Sequence, residues 1–95
     1  MMYREPSDSP WGVVVRCDTL CTGVYSVSTA GHGGIMVQTD AARRLLSPEA
    51  QAVGFQAGRY LNFEEDCDAP VVLRELVDSG IIAPRTDNYF RPGEY

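Results

Sequence analysis

Hydrophobic and polar positions in the first part of the chain follow the patterns of β-strands. Residues 11–17 are rich in β-branched side chains and predict a first strand, and residues 18–23 have the composition of a turn. Residues 24–28 alternate apolar and polar side chains, as half-buried strands do, so Tyr25 is expected on the exposed side of its strand. Residues 35–37 predict a third strand. These closely spaced runs predict an antiparallel meander.

Helical signals dominate the following part of the chain. Residues 41–46 predict a first helix, and Ser47 followed by proline predicts the start of a second, short helix. Asp68 is expected to cap the third and clearest helix, whose apolar side chains recur at three- and four-residue spacing until Gly80. The predicted fold class is therefore α+β: a small antiparallel sheet of about three strands, with two to three helices packed on one face.

The chain divides into three parts on composition. Residues 1–10 are polar, contain two prolines and predict a flexible N-terminal arm. Residues 11–84 form the single predicted α+β domain, in which Trp11 is expected as a core anchor. Residues 59–63 fit either a strand or an extended connection. Residues 85–95 have no periodicity and predict an irregular tail.

Composition narrows the classes of function. Apolar residues make up 44% of the chain, yet no apolar run is long enough to span a membrane, and the start lacks the apolar segment of a signal peptide. A cytoplasmic protein with reduced cysteines is expected. The net charge of −5 disfavours direct binding of nucleic acid, which depends on Lys and Arg. An acidic domain can instead occupy the basic groove of a protein that binds nucleic acid.

Three cysteines and the single histidine are candidate ligands of a structural zinc ion, which favours four ligands of this kind. The predicted set is Cys17, Cys21, His32 and Cys67. The first two have a spacing that suits a ligand pair on a turn, and His32 lies among three glycines. One difficulty is that a straight strand over residues 24–28 would separate the Cys17–Cys21 turn from His32 by about 17 Å.

A run of acidic residues precedes the third predicted helix. Four carboxylates there suit the positive end of a helix, or a surface that binds a basic partner: Glu64, Glu65, Asp66 and Asp68. Catalysis by Cys67 with His32 as its base is a further alternative. We expect no enzyme, because these neighbouring carboxylates would raise the pKa of the thiol and weaken it as a nucleophile.

Three motifs in this order carry a resemblance to a known family. They are Trp11-Gly12, the segment VSTAGHGG over residues 27–34, and the run Glu64-Glu65-Asp66-Cys67. The chain resembles a family of small domains in phage and plasmid proteins without an assigned function, over roughly residues 10–80. The resemblance implies an association of His32 with Cys67. A site of these two residues with one or two of the adjacent carboxylates therefore competes with the four-ligand set.

In size and charge the chain is similar to anti-CRISPR inhibitors of type II effector nucleases. This resemblance implies a protein that binds the nuclease and blocks the loading of target DNA, since such nucleases hold guide and target in positively charged channels. The structural zinc would then stabilise the domain. The alternatives are an interaction module directed at another host defence protein and, less favoured, a Cys–His enzyme.

Overall fold

The computed structural model describes residues 4–65 and 68–82. These residues fold around a five-stranded antiparallel sheet. Strands β1 and β2 pair in a separate hairpin, and the sheet has the order β3-β4-β5-β7-β6. The α+β class and the helices are confirmed, but the expectation of about three strands is wrong. The elements are β1 (Asp8–Ser9), β2 (Gly12–Val13), β3 (Arg16–Cys21), β4 (Val24–Ser28), β5 (Gly33–Gln38), α1 (Thr39–Leu45), α2 (Pro48–Val53), β6 (Phe55–Ala57), β7 (Tyr60–Glu64) and α3 (Ala69–Asp78).

The first predicted strand and its turn differ from what forms. Residues 11–17 are split between β2 and β3, because the chain leaves β2 after Val13 and bends at Val15 before β3 begins at Arg16. The predicted turn over residues 18–23 is wrong, because β3 continues to Cys21 and only Thr22 and Gly23 connect it to β4. Polar residues are tolerated in β3 since it is an edge strand, largely exposed to solvent.

One face of the sheet packs against the three helices, and we call it the helix-side face. The helix α3 buries an apolar stripe there, and Ser47 caps α2 by accepting a hydrogen bond from the Ala50 N–H at 3.1 Å. Asp68 is at the N-cap position of α3, but its side chain makes no capping bond. A hydrophobic core fills the space between this face and the helices. Its largest fully buried side chains are Phe63, Ile35, Leu73, Leu76, Val24, Val37 and Val72.

The opposite face packs against the β1–β2 hairpin and is called the hairpin-side face. Tyr25, Val27 and Met36 are buried in it, with Trp11 among the half-buried side chains packed against them. The expectation that Tyr25 is exposed is wrong: it is only 2% exposed. The reason is that β1, formed by Asp8 and Ser9 within the predicted arm, pairs with β2 and brings this hairpin over the sheet.

No helix in the described ranges is long and apolar enough to cross a membrane. The predicted tail over residues 85–95 lies outside the described residues.

Candidate protein-binding site

His32 lies in the short loop that joins β4 to β5. Its carbonyl oxygen accepts hydrogen bonds from the Thr29 N–H at 2.7 Å and the Thr29 hydroxyl at 2.6 Å. The His32 N–H in turn donates to Thr29 Oγ1 at 3.1 Å. These bonds tie the two ends of the loop together, so the position of the imidazole is set by the loop itself.

The glycines after His32 allow other groups to approach the sheet closely. A Cβ on Gly34 would lie 2.5 Å from Trp11 Cη2, a distance that real Cβ atoms do not adopt. A Cβ on Gly33 would lie 2.6 Å from the Val27 carbonyl oxygen. Gly31, by contrast, has nothing within 4 Å of its Cβ position. Gly33 and Gly34, the first two residues of β5, are therefore required for packing, and Gly34 in particular allows the Trp11 indole to pack on the backbone.

Three aromatic rings meet on the hairpin-side face and form what we call the Trp11 cluster: Trp11, His32 and Phe55. The Trp11 ring centroid lies 6.1 Å from that of His32 and 6.2 Å from that of Phe55, with an edge-on angle of 84° to the second ring. Phe55 remains 39% exposed and the His32 side chain 35% exposed. The cluster thus combines packed rings with accessible aromatic surface.

One carboxylate of the predicted acidic run, that of Glu64, borders this cluster. Glu64 Oε2 lies 3.3 Å from His32 Nε2, because Glu64 is paired with Gly34 across β7 and β5. The Glu65 N–H donates to the Gly33 carbonyl at 3.3 Å, and the Asp68 N–H donates to the Glu64 carbonyl at 2.9 Å. The Glu64 carboxylate therefore contacts the cluster, whereas these two bonds place only the backbone of Glu65 and Asp68 at this end of the sheet, and Asp66 lies outside the described residues.

Asn62 supports the strand that carries Phe55. This fully buried side chain donates from Nδ2 to the Phe55 carbonyl at 3.2 Å and to the Tyr60 carbonyl at 3.1 Å. Its Oδ1 is buried and has no hydrogen-bond partner among the described residues. Asn62 therefore links the edge strand β6 to β7 and holds Phe55 next to Trp11.

The thiols of Cys17 and Cys21 are not brought together. Cys17 packs with the hairpin-side cluster, whereas Cys21 packs with the helix-side core, since a register shift between Thr19 and Cys21 changes the face. Cys17 is also two strand spacings, about 10 Å, from the β5 backbone near His32. No three His, Cys, Asp or Glu side chains in the described part of the chain could hold a metal ion. Cys67 lies outside the described residues, so zinc binding remains a prediction.

Both described thiols are held in the protonated form. Burial, with the nearby carboxylates of Glu5 and Asp18, raises the pKa of Cys17 from its ordinary value of 9.0 to about 11. Burial also raises the pKa of Cys21. Since the thiolate is the nucleophile, these environments disfavour nucleophilic catalysis at neutral pH by either thiol.

A shallow cleft of about 230 Å³ continues the hairpin-side surface away from the Trp11 cluster. It lies between the hairpin and the sheet and is lined by Asp8, Ser9, Pro10, Met36, Ala57 and Tyr60.

Sequence patterns identified some members of this site and missed others. His32 and the carboxylates were singled out, and Trp11 was expected only as a core anchor. Phe55 and Asn62 were missed, and no residue pattern marks Phe55, since β6 has three residues and too short a run to show alternation.

A sequence profile described as a domain of unknown function (DUF7007) matches residues 4–83 of the chain. No curated protein and no solved structure matches it significantly.

Proposed function

Since the chain belongs to the DUF7007 family of domains of unknown function, we propose a function from the site itself: a non-catalytic domain that binds a basic region of a protein partner. The Trp11 cluster would supply the apolar contact. The predicted acidic run would face cationic side chains of the partner: Glu64, Glu65, Asp66 and Asp68.

The observation that carries this proposal is accessible aromatic surface directly beside the Glu64 carboxylate. Trp and Phe are enriched at protein interfaces, where a few such side chains account for most of the binding free energy. Phe55 is 39% exposed and packs edge-on against Trp11, so it is already ordered before binding. The net charge of −5 adds a long-range attraction to a basic partner.

Catalysis has less support from the same residues. The two described thiols are poor nucleophiles, because the pKa of Cys17 is raised to about 11 and burial raises the pKa of Cys21. A Cys–His enzyme would therefore depend on Cys67, and that alternative predicts that Cys67→Ser abolishes an activity without loss of the fold.

The specific partner that we propose is a type II CRISPR effector nuclease in a bacterial host cell. Its positively charged channel offers the complementary surface, and a domain bound there would keep target DNA from loading. The alternative is an interaction module that acts on another host defence protein.

Two measurements test this proposal together. Purified nuclease is assayed for DNA cleavage at low salt with excess protein, and binding is measured over a salt series. We expect inhibition that weakens as salt rises, because exposed charge pairs are screened. Normal cleavage under these conditions would exclude that nuclease as the target, and recovery of a different host protein from lysate would favour the alternative.

Variants with matched controls locate the binding surface. Phe55→Ala should weaken binding about tenfold or more, as loss of an interfacial aromatic anchor does. Val53→Ala removes a comparably exposed apolar side chain, 43% exposed on α2, and should bind normally. Glu64→Gln should weaken binding mainly at low salt, whereas Glu49→Gln on α2 should not. Equal effects of both members of either pair would place the interface elsewhere.

Zinc belongs to the proposal as a structural metal. The contact between His32 and Glu64 supports the smaller set of His32, Cys67 and adjacent carboxylates over the four-ligand set. Comparison of intact masses under native and denaturing conditions should find one zinc per chain, lost in His32→Ala and Cys67→Ser. Cys21→Ser should retain the metal if the smaller set is right and lose it if all four residues ligate. Metal-free protein with three freely alkylated thiols would refute zinc binding.

A further inference from the structure

The two edges of the sheet differ in how open they are to a further strand. β6 has only three residues, a length that limits pairing, whereas β3 has six. Among the described residues, β3 pairs with β4 alone. Val13 and Val15, just before β3, are 72% and 74% exposed. Within residues 4–65 and 68–82, the β3 edge therefore presents unpaired backbone groups next to exposed apolar side chains, which is the template that an added strand requires.

The charges on this edge are arranged so that the edge is complementary to itself. Arg16 and Asp18 have opposite charge, lie two residues apart on one side of the strand, and have side chains that are 76% and 48% exposed. Arg16 Nε is 3.4 Å from Asp18 Oδ2. We propose that a second copy of this chain pairs antiparallel with β3, with Cys17 opposite Cys17 of the other copy. Arg16 of each copy then lies opposite Asp18 of the other.

The charges select this register over its neighbours. A shift of one residue puts Arg16 opposite Cys17 or Thr19 and loses both ion pairs. A shift of two puts Arg16 opposite Arg16, or Asp18 opposite Asp18, and like charges directly opposite each other are destabilising. The register shift between Thr19 and Cys21 also ends the regular part of the strand, which leaves Cys17 near its centre.

Pairing through one short strand buries less surface than a standard stable interface, so the dimer should be weak and reversible. It uses the edge opposite to β6, which carries Phe55. Failure of the dimer proposal would therefore leave the proposed partner-binding site unaffected, and the reverse also holds.

Single and mixed charge variants test the register directly. By sedimentation over a concentration series, the wild-type chain should show a reversible monomer–dimer equilibrium. Arg16→Asp and Asp18→Arg should each weaken the dimer by roughly tenfold or more, since two attractive pairs become repulsive. Mixing the two variants should restore a heterodimer, because every opposed pair then has opposite charge. Far-UV circular dichroism and thermal unfolding confirm that each variant is folded.

The mixing experiment separates the proposal from its rivals. An effect of the ion pair within one chain cannot produce association between two different variants. A wild-type chain that is monomeric at all concentrations would overturn the proposal, as would a dimer that neither variant weakens. A second readout is cross-linking by a short thiol-reactive reagent, with the products mapped by mass spectrometry. Cys17–Cys17 products should dominate over those of Cys21, because directly opposed Cβ atoms lie about 4.5–5.5 Å apart.

Discussion

The two faces of the sheet differ in what covers them. The helix-side face is covered by three helices, and its buried side chains are apolar apart from Ser26 of β4, which lies opposite Ile35. The hairpin-side face is covered by a hairpin of two-residue strands, and its buried cluster contains only Tyr25, Val27 and Met36 among the described residues. It also contains the buried polar Asn62 and the partly exposed Trp11 cluster.

This difference separates stability from recognition. Burial of apolar surface is the main favourable term in folding, so the helix-side face should contribute most of the free energy of unfolding. A face with accessible aromatic rings and the adjacent Glu64 carboxylate retains surface that a partner can still bury. Substitutions on the two faces should therefore affect different measurements.

Two phenylalanines on opposite faces provide the largest expected difference. Phe63 is fully buried on the helix-side face, and Phe63→Ala should lower the free energy of unfolding by about 3–5 kcal/mol. Phe55 is 39% exposed on the hairpin-side face, and Phe55→Ala should cost about 1 kcal/mol or less. Urea denaturation followed by circular dichroism measures both. Equal losses would mean that both faces contribute equally to stability.

Substitutions at Gly31 and Gly34, on either side of His32, test how closely the hairpin packs on the sheet. Gly34→Ala should cost about 1–3 kcal/mol and displace the indole, because its Cβ would meet the Phe63 carbonyl oxygen of β7 and lie 2.5 Å from Trp11 Cη2. The chain has one tryptophan, so a red shift of its fluorescence reports the displacement. Gly31→Ala is the control, since nothing lies within 4 Å of its Cβ position. An unchanged spectrum for Gly34→Ala would contradict the close packing of Trp11.

A smaller effect is expected within the helix layer, at Ser47. Its N–H and hydroxyl donate to Glu75 at 2.8 and 2.5 Å, and its hydroxyl also accepts from the Ala50 N–H. Ser47→Ala should lower the free energy of unfolding by about 1–2 kcal/mol, because the helix cap and a bond to α3 are both lost. Ser47→Thr keeps the hydroxyl and should retain most of the stability. If both variants lose the same amount, the hydroxyl is not responsible.

Much of the helix-side face could be predicted from the sequence, because local signals determine it. The alternation over residues 24–28 predicts β4 with its observed bounds. Ser47 predicts the start of α2, and the apolar stripe after Asp68 predicts α3. The burial of Tyr25 could not be predicted, since it depends on a hairpin that the composition of residues 1–10 does not reveal.

The candidate site depends on pairing between distant segments. His32 and Glu64 were each singled out, but their contact follows from the register of β5 with β7, and residues 59–63 fitted more than one structure. The spacing of Cys17 and Cys21 suited a ligand pair, yet one register shift in β3 puts them on opposite faces. Such irregularities depend on tertiary packing and leave no local pattern.

The smallest expected effect is a pH dependence from the hairpin-side face. The pKa of Cys17 is raised by burial, Glu5 and Asp18 from 9.0 to about 11, so the folded chain keeps this proton at pH values where the unfolded chain loses it. Stability should therefore be insensitive to this group below about pH 9, and should fall between about pH 9 and pH 11. Urea denaturation with a chelator present measures the fall in stability, and Cys17→Ser should reduce it.

Burial raises the pKa of Cys21 and Tyr60 in the same direction, so part of the fall remains in Cys17→Ser. If Cys21→Ser reduces the fall more than Cys17→Ser, the helix-side face is the more pH-sensitive of the two, and the carboxylates near Cys17 have little influence on its thiol.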